Sequence, residues 1–384
     1  MRVAHVITRL IVGGAQENTI ATVLGLRSYS GVEVELISGN TTGPEGTLEP
    51  LVAKEPGLLT LVPELVRPVH PWKDLAAFRR LVRRFQAVRP DIVHTHSGKA
   101  GIIGRLAAAR AHVPVIIHTI HGPSFGEFQG RVSNLLFRSS EKIAARVTTH
   151  FVTVAWAMRD QYLNAGIGRP EQYTRVLSGF PLDPFLQARR DPALRRRLGL
   201  AEDAIVIGKI ARLFRLKGHE DLFAAAPELV KRCPRLQFLL VGDGPWRDRF
   251  EALARARGLE KHFVFAGLAP PEAVPQYIAQ MDLLAHLSRR EGLARALPQA
   301  LAVARPVVAY NCDGAKEICL EGETGFLIEP GNLSQFIEKA IILAQDQNLR
   351  EKFGRRGRDL VRREFSVEKM VAGLYALYRR LLSC

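Results

Sequence analysis

The sequence predicts an α/β protein built from two doubly wound domains. Three observations lead there. The chain has 384 residues, more than one hydrophobic core usually serves, so two domains of roughly 150–200 residues are expected. Short apolar, β-branched runs alternate with longer helical patterns. The alternation halts once, at the turn-rich segment Ser178-Gly-Phe-Pro-Leu-Asp-Pro184, and then starts again.

In the first series the runs Val3–Thr8, Val32–Ser38, Asp91–Thr95, Val115–Thr119, Val147–Val154 and Tyr173–Val176 read as strands. Helical patterns fall between them at Gln16–Leu26, Leu75–Val88, Lys99–Ala111, Arg131–Ala145 and Ala157–Ala165. Strands that are apolar on both faces and separated by helices belong to a buried parallel sheet. The second series offers strands at Ala204–Ala211, Leu236–Val241, His262–Phe265, Leu283–Ala285, Val307–Tyr310 and Gly325–Ile328. Its helices are expected at His219–Cys233, Trp246–Gly258, Pro271–Gln280, Arg295–Val303 and Leu333–Gln345, with Leu349–Glu364 and Val367–Leu381 closing the chain. The domains are placed at residues 1–180 and 181–365, with the last helix, 366–384, able to pack back on the first. Ligands on such sheets bind beyond the carboxyl ends of the strands, so two such domains are expected to face each other across a cleft lined by strand-to-helix loops.

The net charge is +16. Residues 1–185 carry 21 basic against 14 acidic residues and the rest 33 against 24, so the excess is spread and there is no basic tail. Such a field favours anionic partners: phosphorylated ligands or anionic lipid headgroups. No nucleic-acid motif accompanies it, and nucleic acid is not an expected partner. The four cysteines, Cys233, Cys312, Cys319 and Cys384, show neither CxxC nor metal spacing and read as reduced thiols in a cytoplasmic protein. The apolar N-terminus is broken by Arg9 and Gly13-Gly14, so it reads as a strand and loop, not a signal peptide. No apolar run approaches the ~20 residues a membrane span needs.

Four loops hold the candidate site residues. Gly13-Gly14-Ala15-Gln16 follows the first strand, where glycines admit a ligand to the backbone and a helix N-terminus offers N–H groups to an anion. Arg212 and Lys217, in Arg212-Leu-Phe-Arg-Leu-Lys217-Gly218-His219, flank the loop after the first strand of the second series. Two cations beside a helix N-terminus make a diphosphate clamp. Glu291 and Gly292 are placed at the entry to a helix containing Gln299, with the N–H groups of Gly292, Leu293 and Ala294 aimed at a ligand. His121, before Gly122 at a strand end, can meet a substrate hydroxyl, although His94, His96 and His118 compete for that role. No Asp-x-Asp pair occurs, so no metal is expected on a diphosphate. No G-x-G-x-x-G follows the first strand, which disfavours a nicotinamide dehydrogenase.

Taken together, and in this order, these loops resemble family 4 glycosyltransferases of the GT-B fold. The resemblance runs through Gly13, Gly14 and Gln16, the strand Asp91–His96, His121-Gly122, and Ser178, Gly179 and Asp183 in the linker. It continues through Arg212, Lys217 and Gly218, Val241-Gly-Asp-Gly-Pro245, the block Glu291 to Ala302, and Asp313, Glu317, Gly322 and Gly325. It implies a retaining, metal-independent hexosyltransferase that needs no cofactor beyond its nucleotide-sugar donor. By the same resemblance Arg212 and Lys217 hold the diphosphate, and Glu291 contacts the donor sugar. The amides of Gly292 to Ala294 meet sugar or phosphate, and position 299 faces the ribose hydroxyls. Gly13 and Gly14 approach the donor phosphate, His121 meets the transferred sugar, and Glu317 supports the site without touching the donor.

Three positions depart from the family pattern. Gln299 stands where the family has a second glutamate, which exchanges a charge-assisted bond for a neutral one at a cost of ~1 kcal/mol. Gly-Leu-Ala follows Glu291 in place of Gly-Phe-Gly, and Ser178 replaces a linker asparagine. A catalytically degenerate nucleotide-sugar-binding protein is therefore the alternative reading. Two basic amphipathic stretches, Ala77–Phe85 and Arg131–Arg138, suit an anionic membrane surface. They suggest peripheral attachment to the inner face of the plasma membrane and a lipid-linked or saccharide acceptor in envelope polysaccharide or glycolipid synthesis.

Overall fold

A computed structural model describes residues 1–42, 46–126 and 128–383. The chain forms two compact units: Met1–Phe180 together with the chain from Ser366 onward, and Pro181–Phe365.

The first unit is built on strands β1 (Arg2–Ile7), β2 (Glu33–Ser38), β3 (Leu59–Leu61), β4 (Ile92–His96), β5 (Val115–Ile120), β6 (His150–Thr153) and β7 (Tyr173–Arg175). They form one sheet in the order β3-β2-β1-β4-β5-β6-β7, every pair parallel. β4 and β5 are buried along their whole length, as strands covered by helices on both faces must be. Strand order reverses between β1 and β4, the place where doubly wound sheets bind ligands beyond the strand ends. The final helix, Val367–Leu382, belongs to this unit. Its Met370 Sδ accepts from Asn18 Nδ2 at 3.0 Å, and its Tyr375 stacks on Tyr29 at 4.2 Å between centroids. Its Tyr378 reaches into the sheet core with Val3, Ile117 and Val152.

The second unit carries β8 (Ile205–Ile210), β9 (Leu236–Val241), β10 (Phe263–Gly267), β11 (Leu283–His286), β12 (Val307–Tyr310) and β13 (Gly325–Ile328). The order is β10-β9-β8-β11-β12-β13, again all parallel. Here the reversal lies between β8 and β11. A core of Phe223, Phe238, Phe250 and Phe263 packs under β9 and β10, with Phe223 and Phe263 stacked at 4.2 Å.

Several sequence expectations are corrected in detail. The strand expected over Val147–Val154 begins only at His150, because the amides of Arg146, Val147 and Thr148 close the preceding helix onto Ile143, Ala144 and Ala145. The expected linker is not irregular throughout: a helix starts within it at Asp183 and runs to Gln187, and Pro192–Arg197 forms another. β3 and the helix Glu49–Ala53 were not anticipated.

Candidate functional site

A connected polar cluster of the second unit lies past the carboxyl ends of β8 and β11, at the strand-order reversal. β8 ends at Ile210, and the chain runs through Arg212 and Lys217 before the helix His219–Arg232. Gly218 makes that entry possible. Its φ is +68°, and a Cβ there would lie 1.8 Å from the Leu287 carbonyl oxygen, so only glycine lets the two loops approach. The Arg289 amide donates to Leu216 O at 2.9 Å, fixing the loop after β11 to the loop after β8.

That lacing brings together two residues 74 positions apart in sequence. Lys217 Nζ lies 2.5 Å from Glu291 Oε1, and Ser288 Oγ donates to the same oxygen at 2.8 Å. Burial alone would raise the Glu291 pKa. The Lys217 ammonium, with help from His286 and the Ser288 hydroxyl, outweighs it and holds the carboxyl below the usual range. Glu291 is therefore an anion at neutral pH. Its backbone N–H donates to Asp313 Oδ2 at 2.7 Å, which ties the loop after β11 to the loop after β12.

Beneath the pair sits Lys209, on β8 and only 2% exposed. Burial first, then repulsion from Lys217, brings its pKa down to about 7, against the pull of Glu291, Asp221 and Glu220. His286, at 3.9 Å from Glu291 Oε1, is lowered to about 4 by burial, the Glu291 charge opposing and Lys209 and Lys217 adding to the shift. It is neutral at pH 7 and does not compete with Lys217 for the carboxylate. Asp221 braces the far side: Arg289 Nη2 and Tyr310 OH each donate to its Oδ2 at 2.8 Å.

The other predicted residues of this unit occupy less connected places. Arg212 is exposed, its guanidinium over the Phe214 ring at 5.7 Å. Gly292, Leu293 and Ala294 are buried but do not open a helix: it starts at Ala296 and ends at Ala302. The reason is the anchoring of Glu291 N to Asp313 and of Gly314 N to Gly292 O at 3.2 Å, which holds this stretch irregular. Gln299 is half-buried within that short helix, and Glu317 is half-buried at the end of the turn Asp313–Glu317. A separate cavity of about 380 Å³, lined by Arg190, Asp203, Asp282 and Arg305, opens beside Ile205, at the opposite end of β8, and takes no part in this cluster.

In the first unit, Gly13 caps the helix Gly14–Arg27 in extended conformation. The Gln16 side chain folds over it, since a Cβ on Gly13 would lie 2.9 Å from Gln16 Oε1. His121 follows β5 and is half-buried. It does not stand alone. His96 Nδ1 lies 3.0 Å from His121 Nε2, and His5 Nδ1 lies 2.9 Å from His96 Nε2. His94 stacks on His96 at 4.5 Å and bonds Thr119 Oγ1 at 2.6 Å and the Tyr378 hydroxyl. His5, His94 and His96 stand close enough to suggest a metal site, but the nitrogens of His5 and His96 face each other at hydrogen-bond distance, so a shared proton already engages them. Sequence reasoning missed Lys209, Ser288 and His5. A lone lysine in the apolar run Ile205–Ile210 was the available signal for the first.

Two doubly wound parallel sheets, the second with a lysine–glutamate pair between laced loops at its strand-order reversal, fit an α/β enzyme whose ligand lies beyond the strand ends. Comparison with known proteins makes the class specific. Residues 12–183 match the model for Glycosyltransferase Family 4, and residues 191–360 match that for Glycosyl transferases group 1. The two matches together take in most of the chain, which belongs to the family 4 glycosyltransferases. The putative glycosyltransferase EpsD of Bacillus subtilis is 29% identical over 324 residues, covering 81% of this chain and 82% of the relative. The Escherichia coli UDP-Gal:alpha-D-GlcNAc-diphosphoundecaprenol alpha-1,3-galactosyltransferase is 26% identical over 342 residues, 85% of this chain and 88% of that one. In fold, the chain is similar to Anabaena HepE in complex with UDP and glucose, with a TM-score of 0.83 at 22% identity, covering 99% of this chain and 100% of that one. The architecture is GT-B, two Rossmann-like domains.

Proposed function

We propose that this glycosyltransferase moves a hexosyl group from a nucleoside-diphosphate sugar to a lipid-linked or saccharide acceptor of the cell envelope, with retention and without a metal. The Lys217–Glu291 pair at the switch point carries the reading. Breaking the bond between sugar and diphosphate builds negative charge on the leaving group and positive charge on the sugar. Lys217, with three N–H donors of which one serves Glu291, neutralises the former, joined by Arg212 swinging from Phe214. Ionised Glu291 takes sugar hydroxyls as donors and faces the developing positive charge. The amides of Gly292, Leu293 and Ala294 line the same site, Gln299 takes the ribose hydroxyls, and Glu317 supports the loop. Gly13, Gly14, Gln16 and His121 are the donor-facing groups of the first unit.

The E. coli relative acts from UDP-Gal on an undecaprenol-linked acceptor, so uridine donors are the first to test. A thermal-shift panel of nucleotide-sugars in EDTA is the experiment. One donor is expected to raise the midpoint, since ligand binding stabilises the fold by mass action. Turnover of that donor with an anomer-resolving NMR readout is expected to give the retained anomer. Binding without turnover on any acceptor would favour the degenerate reading that Gln299 raises, and a requirement for divalent metal would overturn the metal-free clamp.

The lipid acceptor has its own support. Ala77, Leu81 and Phe85 are buried in the core, so the first basic stretch presents no apolar face. The second does: Val132, Leu135 and Leu136 are 83%, 67% and 56% exposed, on a helix that also exposes Arg131, Arg138 and Lys142. Apolar residues flanked by cations suit an anionic lipid surface. No helix among the described residues is long and apolar enough to cross a membrane. Co-sedimentation with anionic vesicles at low salt is expected, and equal recovery on neutral vesicles would count against it.

A further inference from the structure

Lys209 is the last residue but one of β8 and is 2% exposed. The loop after β8 sets Lys217 near it, and the first turn of the helix His219–Arg232 sets His219, Glu220 and Asp221 there. β11 brings His286, and the loop after it brings Glu291. β9 sets Leu240 beside Lys209 and carries no titratable side chain. Glu291 is already engaged by Lys217, and Asp221 by Arg289 and Tyr310. The Lys209 ammonium has no hydrogen-bond partner and no carboxylate at ion-pair distance among the described residues. His219 Nδ1 and His286 Nε2 are also buried without a hydrogen-bond partner. Buried polar groups in proteins are nearly always paired, so this cluster is short of a partner, and for the lysine that partner is an anion.

A desolvated ammonium without a counter-ion gives up its proton readily. Burial, with Lys217 adding, brings the Lys209 pKa down to about 7, so at pH 8 most of these side chains are neutral in the unliganded chain. His219 and His286, lowered chiefly by burial to about 2 and about 4, stay neutral there, and Glu291 stays ionised. A diphosphate held by Lys217 brings the missing negative charge and no proton of its own, because a terminal phosphate is ionised by pH 8. We infer that Lys209 is a further cation of the nucleotide clamp, and that a nucleoside diphosphate binds together with a proton that this lysine takes up from solvent. The inference rests on the reading above, in which the diphosphate lies against Lys217. Of Lys209, His219, His286 and Glu291, only the lysine changes charge between pH 7 and 9, so it carries the coupling. The sign follows: a proton bound in the complex and not in the free site makes affinity fall as pH rises.

The test is calorimetric titration of the full chain with UDP, GDP and ADP at pH 8, run in HEPES and again in Tris. The two buffers have different heats of ionisation, so the difference in binding heat counts the protons exchanged. For the diphosphate that binds, uptake of about 0.5–1 proton is expected, and Kd is expected to rise about tenfold from pH 7 to pH 8.5. Lys209→Met is expected to bind more weakly at pH 7, with uptake near zero and a nearly level Kd. Urea titration checks that this variant is folded, and the uptake by the native chain is read without any variant. Binding without proton uptake in the native chain overturns the inference and leaves the clamp standing, as does uptake that persists in Lys209→Met. Failure of all three diphosphates to bind at pH 7 refutes the donor reading itself, and the inference with it.

Discussion

Lys209 gives the sharpest stability prediction. It is a lysine next to the carboxyl end of β8, 2% exposed, whose pKa falls from 10.5 to about 7, chiefly through burial. A base that is weaker in the fold than in the unfolded chain binds fewer protons when folded. Its penalty is complete below the folded value and disappears as pH rises towards the unfolded one. At about 1.4 kcal/mol per pH unit, the ionised side chain costs the fold roughly 5 kcal/mol near neutrality. Lys209→Met keeps the unbranched stem and removes the charge. Urea unfolding at pH 7, 8 and 9 is expected to show the variant several kcal/mol more stable at pH 7. The native chain gains stability with rising pH, and the variant shows a flatter dependence. A variant that is less stable at pH 7, with the native slope unchanged, would refute the reasoning and mean that Asp221 and Glu291 fully compensate the ammonium. The gain should carry a functional loss, because the Lys209 charge adds to the positive potential under Lys217.

Arg105 and Glu141 form an ion pair at 2.6 Å with neither side chain exposed, and Arg105→Met leaves the carboxylate buried alone. A loss of about 3–5 kcal/mol is expected by denaturant titration, partly relieved by adding Glu141→Gln. Gly218→Ala forces a Cβ against the Leu287 carbonyl at positive φ. It is expected to cost about 2 kcal/mol or more and to abolish donor-induced thermal shifts, whereas Gly258→Ala, at similar φ with open space around it, should only destabilise slightly.

The double winding was legible because parallel strands buried on both faces read as short apolar runs, as Val307–Tyr310 does, although Ile92–His96 and Val115–Ile120 carry buried histidines and threonines among theirs. β3 gave no such signal, being three residues long and nowhere fully buried. The helix Asp183–Gln187 hid in a segment whose prolines and glycine argue for turns; Pro184 sits in its first turn, where it is tolerated. Lys217 and Glu291 were each legible by motif, but not their pairing, which depends on Gly218 and the Arg289 amide bringing two distant loops together. The helix containing Gln299 was legible to within one residue, but the irregular stretch Gly292–Ala294 before it was not, because the tethering of Glu291 and Gly292 to Asp313 and Gly314 has no local sequence signature. The histidine chain was invisible for the same reason: its links join β1, β4 and the loop after β5, and only strand register places them in line.

Calorimetric titration of the tightest-binding nucleoside diphosphate, in EDTA, into the native chain, Lys217→Met and Arg212→Met is the most direct test of the proposed clamp. Each charged hydrogen bond lost should remove about 1.5–3 kcal/mol, so Kd is expected to rise at least about tenfold in each variant. Unchanged affinity in both variants, or native binding that vanishes with EDTA, would contradict it.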